Sequence, residues 1–357
     1  MQNDYICIKK VMISSDTNVL LIYTGGTIGM VENLETGALE AFNFSHLKSN
    51  VPEMKRLKFN VDTYLFDPPI DSSEINLHNW VSIAKVVQDN YVLYDGFVIL
   101  HGTDTMSYTA SMLSFMFENL TKPVILTGSQ LPIGKLRTDG KENLITALEI
   151  AADKNEDGRP VVPELCVYMQ NLLMRGNRTT KINSENFSAF NSPNYPALAE
   201  VGIDIRYHDK FILHPDYDKP TVFNISIDNN VAILKLFPGI QKSIVESCLS
   251  IPNLKGVVLE TFGSGNALRD QWFIDALEVA IAKGIVIVNV TQCLYGSVEM
   301  HRYGTGQHLE KLGLVSGHDI TTETALAKLM LLQGNGFSSE EIRELMEVSL
   351  RGELSLR

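Results

Sequence analysis

Val19-Leu20-Leu21-Ile22-Tyr23, running straight into Thr24-Gly25-Gly26-Thr27-Ile28-Gly29, decides how the rest of the chain is read. Five apolar residues without polar alternation predict a short strand buried on both faces. The same signal recurs at Phe97-Val98-Ile99-Leu100, Pro123-Val124-Ile125-Leu126-Thr127 and Leu165-Cys166-Val167-Tyr168. Between these runs the apolar residues take helical spacing: Leu77, Trp80, Val81, Ala84 and Val87, then Met106, Ala110, Leu113 and Phe117, then Leu144, Ala147, Leu148 and Ala151. Continuous apolar strands alternating with helices need both sheet faces covered, which predicts an α/β fold with a mainly parallel sheet and crossover helices. Ligands of such sheets sit at the carboxyl ends of the strands.

Working outward, residues 1–16 form a polar extension and 17–205 the larger α/β domain. The aperiodic stretch 206–222, with Pro215 and Pro220, is expected to connect it to a smaller α/β domain over 223–357. In that second domain Val231-Ala232-Ile233-Leu234-Lys235-Leu236, Gly256-Val257-Val258-Leu259 and Ile285-Val286-Ile287-Val288 read as strands. Gly284 is expected to stop a helix, and Ser338 with Glu341 three residues on is a capping box that opens another.

The chain has 357 residues, 45% hydrophobic and 20% charged, so disordered and collagen-like compositions are excluded. Its 30 basic and 42 acidic residues leave a net charge of -12, which argues against binding nucleic acid or anionic membranes and for a small substrate. Cys7, Cys166, Cys248 and Cys293 form no C-x-x-C pair, and the eight histidines include no H-E-x-x-H spacing. Free thiols and no metal are expected. With neither a signal-peptide run nor about 18 consecutive apolar residues, a cytoplasmic protein is the expectation.

Chemistry is expected where strands end. Thr24-Gly25-Gly26-Thr27 can hold a hydroxyl beside free backbone amides, although a tight turn alone would also explain two glycines. His101-Gly102-Thr103-Asp104-Thr105 follows the second apolar run; capping a helix would explain one of Thr103, Asp104 and Thr105 but not all three, which leaves a hydroxyl and a carboxylate for other work. Arg175-Gly176-Asn177-Arg178-Thr179-Thr180-Lys181 carries a lysine that is either solvated or, if drawn in beside a hydroxyl, able in its neutral form to take that hydroxyl's proton. Asp71-Ser72-Ser73-Glu74 is read as the start of a helix, either as a plain cap or as a carboxylate-binding turn. Gly128-Ser129-Gln130-Leu131-Pro132-Ile133-Gly134-Lys135 has one residue too many for a phosphate loop, and Gly263-Ser264-Gly265-Asn266 lacks the third glycine of a dinucleotide fingerprint.

Together, Thr24 to Met30, His101 to Ala110, Thr127-Gly128-Ser129-Gln130 and Arg175 to Lys181 resemble the bacterial-type L-asparaginases, nearest in pattern to their cytosolic type I branch. The similarity continues through Leu236-Phe237-Pro238-Gly239, Gly263 to Asn266, Thr291-Gln292-Cys293 and Leu350 to Leu354. The resemblance implies hydrolysis of L-asparagine to L-aspartate and ammonia, with lesser activity on glutamine allowed and no cofactor. It implies Thr27 as the nucleophile and Thr103, Asp104 and Lys181 as a supporting catalytic group. Asp104 would also hold the substrate ammonium, and Ser72, flanked by Asp71 and Ser73, its carboxylate. Asn266 would be offered to a neighbouring subunit, within a homotetramer built as a pair of dimers.

Two positions depart from that pattern. Ala38 stands where many relatives carry a lid tyrosine, and Glu260 stands where some carry an arginine for a second, activating asparagine; a carboxylate there repels another, so no such activation is expected. The connection from about 29 to 45, with Gly29 and Gly37, is expected to act as a lid or else to be a plain surface loop. An amidotransferase subunit of the same family would need a further domain ahead of the first strand, and an amino-acid sensor would need no nucleophile. Both readings are therefore set behind the hydrolase.

Overall fold

The computed structural model describes residues 16–32, 39–41, 51–300 and 304–355, so Gly37, Ala38 and most of the 1–16 extension lie outside the described residues. The chain divides into two units, Met1–Ser192 with Pro196–Phe223 and Pro193–Tyr195 with Asn224–Arg357.

In the first unit, β1 (Asn18–Tyr23) lies parallel between β2 (Asn60–Leu65) and β3 (Gly96–Leu100), with Tyr23 level with both Leu65 and Leu100. The parallel run continues through β4 (Val124–Thr127) and β5 (Leu165–Met169). Then β6 (Leu172–Arg175) turns back antiparallel. A separate two-stranded ribbon pairs β7 (Thr180–Lys181) with β8 (Phe190–Asn191). The main sheet is extended by β9 (Ala199–Val201) and β10 (Ile205–Tyr207), giving the order β10-β9-β6-β5-β4-β3-β1-β2. The sheet is thus mixed, with a parallel majority that includes every apolar run read from the sequence.

Burial explains those runs: Val19 to Ile22 and Phe97 to Ile99 are wholly enclosed, because helices cover both faces. The helices are α1 (Leu77–Asn90), α2 (Met106–Met116) and α3 (Gly140–Ala152). Every residue of α2 except Tyr108 is buried, and two of its serines satisfy themselves by donating back to carbonyls one turn earlier, Ser111 to Ser107 and Ser114 to Ala110. Phe117, expected to close this helix, instead begins a short strand that pairs with Val222–Phe223. The stretch 206–222 belongs to the first unit: it contributes to β10, and Asn119 donates to the carbonyls of Asp216 and Lys219.

The second unit holds a fully parallel four-stranded sheet, β11 (Val231–Lys235), β12 (Gly256–Thr261), β13 (Val286–Thr291) and β14 (Val315–Ser316), in that order. One core packs α4 (Lys242–Leu249), α5 (Gln271–Ala282) and α6 (Gly304–Lys311) on one face; a second packs α7 (Thr322–Gly334) and α8 (Ser339–Met346) on the other. Gly284, at φ +87°, ends α5, and the Ser338/Glu341 capping box opens α8. Among the described residues no helix is long and apolar enough to cross a membrane.

The chain's Leu350-Arg351-Gly352-Glu353 ending is tied into this unit by a buried ion pair. Lys328 of α7 and Glu353 meet at 2.6 Å with both side chains wholly buried. Lys328 also donates to the carbonyl of Val348 at 2.6 Å, while Glu353 accepts from the amides of Leu350 and Arg351. A buried ammonium stripped of its counter-charge is costly, so Glu353→Gln is expected to lower unfolding free energy in urea by about 3–5 kcal/mol.

Candidate active site

The carboxyl ends of β1 and β3 are tied together by Thr24, whose amide and hydroxyl both donate to the Leu100 carbonyl, at 3.0 and 2.9 Å. Gly25 (φ +144°) and Gly26 (φ +91°) then turn the chain in a conformation that disfavours any side chain. The turn is also too crowded for one. A Cβ at Gly25 would collide with the Ile70 carbonyl and one at Gly26 with the backbone of Gly102. Thr27–Gly29 follows as a single 3-10 turn, closed by Gly29 N–H on the Gly26 carbonyl at 3.1 Å. Below it Tyr23 donates its hydroxyl to the Gly29 carbonyl at 3.2 Å, and burial pushes that phenol's pKa up to about 12, which keeps it a donor. Among the described residues the Thr27 hydroxyl makes no hydrogen bond, and Thr27 is half-buried.

Beyond β3, His101 is buried and linked in both directions. Its Nδ1 lies 2.6 Å from the Gly102 carbonyl and its Nε2 3.0 Å from the Thr109 hydroxyl, which in turn accepts from Trp80 Nε1 at 3.0 Å. Nδ1 faces an oxygen that only accepts, so it carries the proton; Nε2 therefore accepts from Thr109. Burial lowers the imidazole pKa to about 4, so the ring is neutral in ordinary buffers. This ring braces the backbone that leads into Thr103 and Asp104.

Lys181, at the end of β7, reaches that backbone from a distant part of the chain. Its Nζ donates to Thr103 Oγ1 at 2.9 Å and to Asp104 Oδ1 at 2.7 Å. The Asp104 side chain is 65% exposed against 19% for Lys181, so the carboxylate opens to solvent while the ammonium sits behind it. Ser72 is buried beside them: a Cβ at Gly102 would collide with its hydroxyl, and Thr105 donates to its carbonyl at 2.6 Å. Thr105 thus spends its hydroxyl on Ser72 and does not cap α2. Asp71 accepts from the amide and the hydroxyl of Ser73 at 2.8 and 2.9 Å, and those two bonds, the amide's first, hold its carboxyl below the usual range.

Thr103, Asp104 and Lys181 are therefore bonded directly, with Ser72 and the Thr27 turn joined to them through Gly102 and Gly26. One expectation changes. Asp71 to Glu74 does not start α1: Ser72–Glu74 is its own 3-10 turn, and α1 begins at Leu77 under an Asn76/Asn79 capping box, a stronger cap two residues on. Asn266 belongs to the second unit, in a turn closed by mutual backbone bonds between Phe262 and Asn266 at 2.8 and 2.9 Å. Glu260 there is engaged by Thr322 at 2.7 Å and Lys235 at 3.2 Å. The roles of His101, Thr105 and Tyr23 are not carried by the sequence motifs; the available signal is their place at the ends of apolar runs beside glycine-containing turns.

The family model "Asparaginase, N-terminal" matches residues 18–213, and "Glutaminase/Asparaginase C-terminal domain" matches 230–346. The chain belongs to the asparaginase family. Within that family it is 40% identical over 365 residues to the "60 kDa lysophospholipase" of Mus musculus, an alignment that takes in 96% of this chain and 63% of that protein. It is also 40% identical to "L-asparaginase 1" of Escherichia coli strain K12, covering 95% of this chain and 98% of that protein. The crystal structure of L-asparaginase I from Vibrio cholerae superposes with a TM-score of 0.87 at 40% identity, over 96% of this chain and all of that one. The chain thus spans just under two thirds of the mouse relative and nearly all of the E. coli one.

The buried imidazole sets a pH dependence for this asparaginase-family fold. Its folded pKa of about 4 lies below the unfolded value of 6.5, so the unfolded chain takes up the proton first as pH falls. The contribution is fully present above pH 6.5 and lost on descent to about 4, amounting to about 3 kcal/mol. Urea unfolding at pH 7, 5.5 and 4.5 is expected to show this decline and His101→Gln to flatten it.

Proposed function

We propose that the chain hydrolyses the side-chain amide of L-asparagine, giving L-aspartate and ammonia without a cofactor, with a lesser rate on L-glutamine. The observation that carries this reading is Lys181 donating at once to Thr103 and Asp104 across 78 and 77 positions of sequence, next to the Thr27 turn. The family membership and the relatives named L-asparaginase support it.

The substrate's ammonium is assigned to Asp104, whose Oδ1 accepts from Lys181 and whose Oδ2 makes no hydrogen bond among the described residues. Its α-carboxylate is assigned to the Ser72 hydroxyl, with Asp71 and Ser73 shaping that turn. Fixing both ends of an amino acid places the amide carbon over Thr27, so that positioning offsets the weakness of a neutral hydroxyl as nucleophile. Thr27 Oγ attacks the amide carbon, the C–N bond breaks and the proton lost by Thr27 leaves with nitrogen as ammonia. Water then cleaves the resulting ester, releasing aspartate and returning a proton to Thr27.

Thr103 orients that water. Because Lys181 donates to Thr103 Oγ1, the threonine's own hydrogen is directed elsewhere, and a proton passed on by Thr103 can be replaced from Lys181. Asn266 is assigned to the active site of a neighbouring copy within a cytoplasmic homotetramer of paired dimers. Gly29 and Gly37 are assigned to a lid over the substrate.

Purified protein is expected to release ammonia from L-asparagine, and Thr27→Val and Lys181→Met to lower kcat by about a thousandfold or more. Ser72→Ala is expected to act mainly on KM, raising it about tenfold or more through loss of a charge-assisted bond. Release of fatty acid from lysophosphatidylcholine, with none of ammonia from asparagine or glutamine, would replace this reading by the one in the mouse relative's name.

A further inference from the structure

The loop Gly128-Ser129-Gln130-Leu131 has no part in the chemistry above, yet it lies against the Thr103 segment on one side and, through Gly140, next to the Thr27 turn on the other. A Cβ at Gly128 would collide with the His101 carbonyl and lie 3.6 Å from Thr103 Cγ2. On the loop's other flank, a Cβ at Gly140, the first residue of α3, would lie 3.2 Å from Ser129 Cβ and 3.3 Å from Ile28 Cγ1, next to Thr27. A shift of this loop is passed directly to the Thr103 segment and, through Gly140, to Ile28 beside Thr27, because these contacts are close-packed.

Two side chains near the start of α3 hold the loop's backbone, alongside Thr138, whose hydroxyl donates to the Leu131 carbonyl at 3.1 Å. Asp139 sits at the N-cap position but makes no cap bond. Thr138 takes that duty, its hydroxyl accepting from Gly140 N–H at 2.9 Å. The Asp139 carboxylate is thereby released to the loop. It accepts from the Gln130 amide at 3.1 and 3.0 Å and from the Leu131 amide at 3.2 Å. Asn143, one turn along and 2% exposed, donates to the Gly128 carbonyl at 2.9 Å and to Asp139 at 3.3 Å, and accepts from the Gln170 amide at 3.3 Å. Gln170 follows β5 with φ +44°, a strained backbone for a non-glycine residue that this bond helps to hold. Three loop backbone groups are thus fixed from behind by one carboxylate and one carboxamide.

We propose that Asp139 and Asn143 are positioning residues for the amide hydrolysis, setting the 128–131 loop so that the Thr27 and Thr103 turns keep their spacing. This rests on the hydrolytic reading above. Neither residue touches the reacting groups; they act through the loop they hold. Small displacements of reacting groups are felt chiefly in turnover, whereas Ser72 and Asp104, assigned to bind the amino-acid head, are held by other bonds. Loss of the clamp should therefore reduce kcat far more than it changes KM.

The test compares the parent with Asp139→Ala, Asp139→Asn, which keeps an accepting oxygen, and Asn143→Ala. It measures kcat and KM for ammonia release and hydrogen exchange of backbone amides 128–131. Both alanine variants are expected to lose about 10- to 100-fold in kcat with KM within about threefold, and to exchange faster at 128–131 than the parent. Asp139→Asn is expected to recover to within about fivefold of the parent. Equal exchange protection in parent and Asp139→Ala overturns the inference, as does Asp139→Ala retaining at least half the parental kcat. If Asn143→Ala, cut from the core, fails to fold, the partly exposed Asp139 pair alone decides. A parent that releases no ammonia sinks the hydrolytic reading and this role with it; protected amides in that parent, exposed in Asp139→Ala, would leave the clamp standing as a purely structural one.

Discussion

A backbone can be approached this closely only where it carries no Cβ, and this site depends on that constraint at three successive contacts, two with another backbone and the third with the Ser72 side chain. Gly25 lies against Ile70, Gly26 against Gly102, and Gly102 against Ser72. Each contact joins loops that leave different strands, so one step of close approach brings the Thr27 turn, the Thr103-Asp104 segment and the Ser72 turn to a common point. A single methyl group at any of the three would push the turns apart by more than a hydrogen bond can stretch. The parallel sheet beneath supplies the level platform: Tyr23 and Leu100 stand side by side, and Thr24 bonds the two strand ends through the Leu100 carbonyl.

Around that point the polar groups are graded by access to water. The innermost is uncharged: His101, kept neutral by burial, donates to Gly102 and accepts from Thr109. Charge appears further out, in the Lys181–Asp104 pair, where the lysine is largely covered and the acid largely open. An ionised group costs least where solvent or a partner remains to stabilise it. The same logic governs the second unit in a harsher setting, since Lys328 and Glu353 are fully enclosed and further bonded to backbone, Lys328 to the Met346 and Val348 carbonyls and Glu353 to the Leu350 and Arg351 amides.

The apolar runs at Val19, Phe97, Val124 and Leu165 were legible as strands because burial on both faces leaves no polar alternation. Their neighbours were not. β2 reads Asn60-Val61-Asp62-Thr63-Tyr64-Leu65, an edge strand with mixed burial and no clear period. β9 and β10 are three residues each, too short to carry a pattern. The start of α1 was misplaced because Asp71-Ser72-Ser73 and Asn76 offer rival caps a few residues apart, and sequence does not say which one the backbone takes. The Gly128 loop was legible as a failed phosphate motif and as part of the family pattern, but nothing local reveals that Asp139 and Asn143 fold back onto it.

The sequence by itself determined the α/β class, the larger and smaller sheets, and which strand ends carry hydroxyls, acids and glycines, because periodicity and backbone freedom are local properties. Only the tertiary structure decided that Lys181 meets Thr103 and Asp104, that Thr105 serves Ser72 instead of its own helix, and that His101 is a neutral brace. Those outcomes depend on which distant groups share a desolvated space, and the strength and direction of each polar contact follow from that shared burial, which no local stretch of residues encodes.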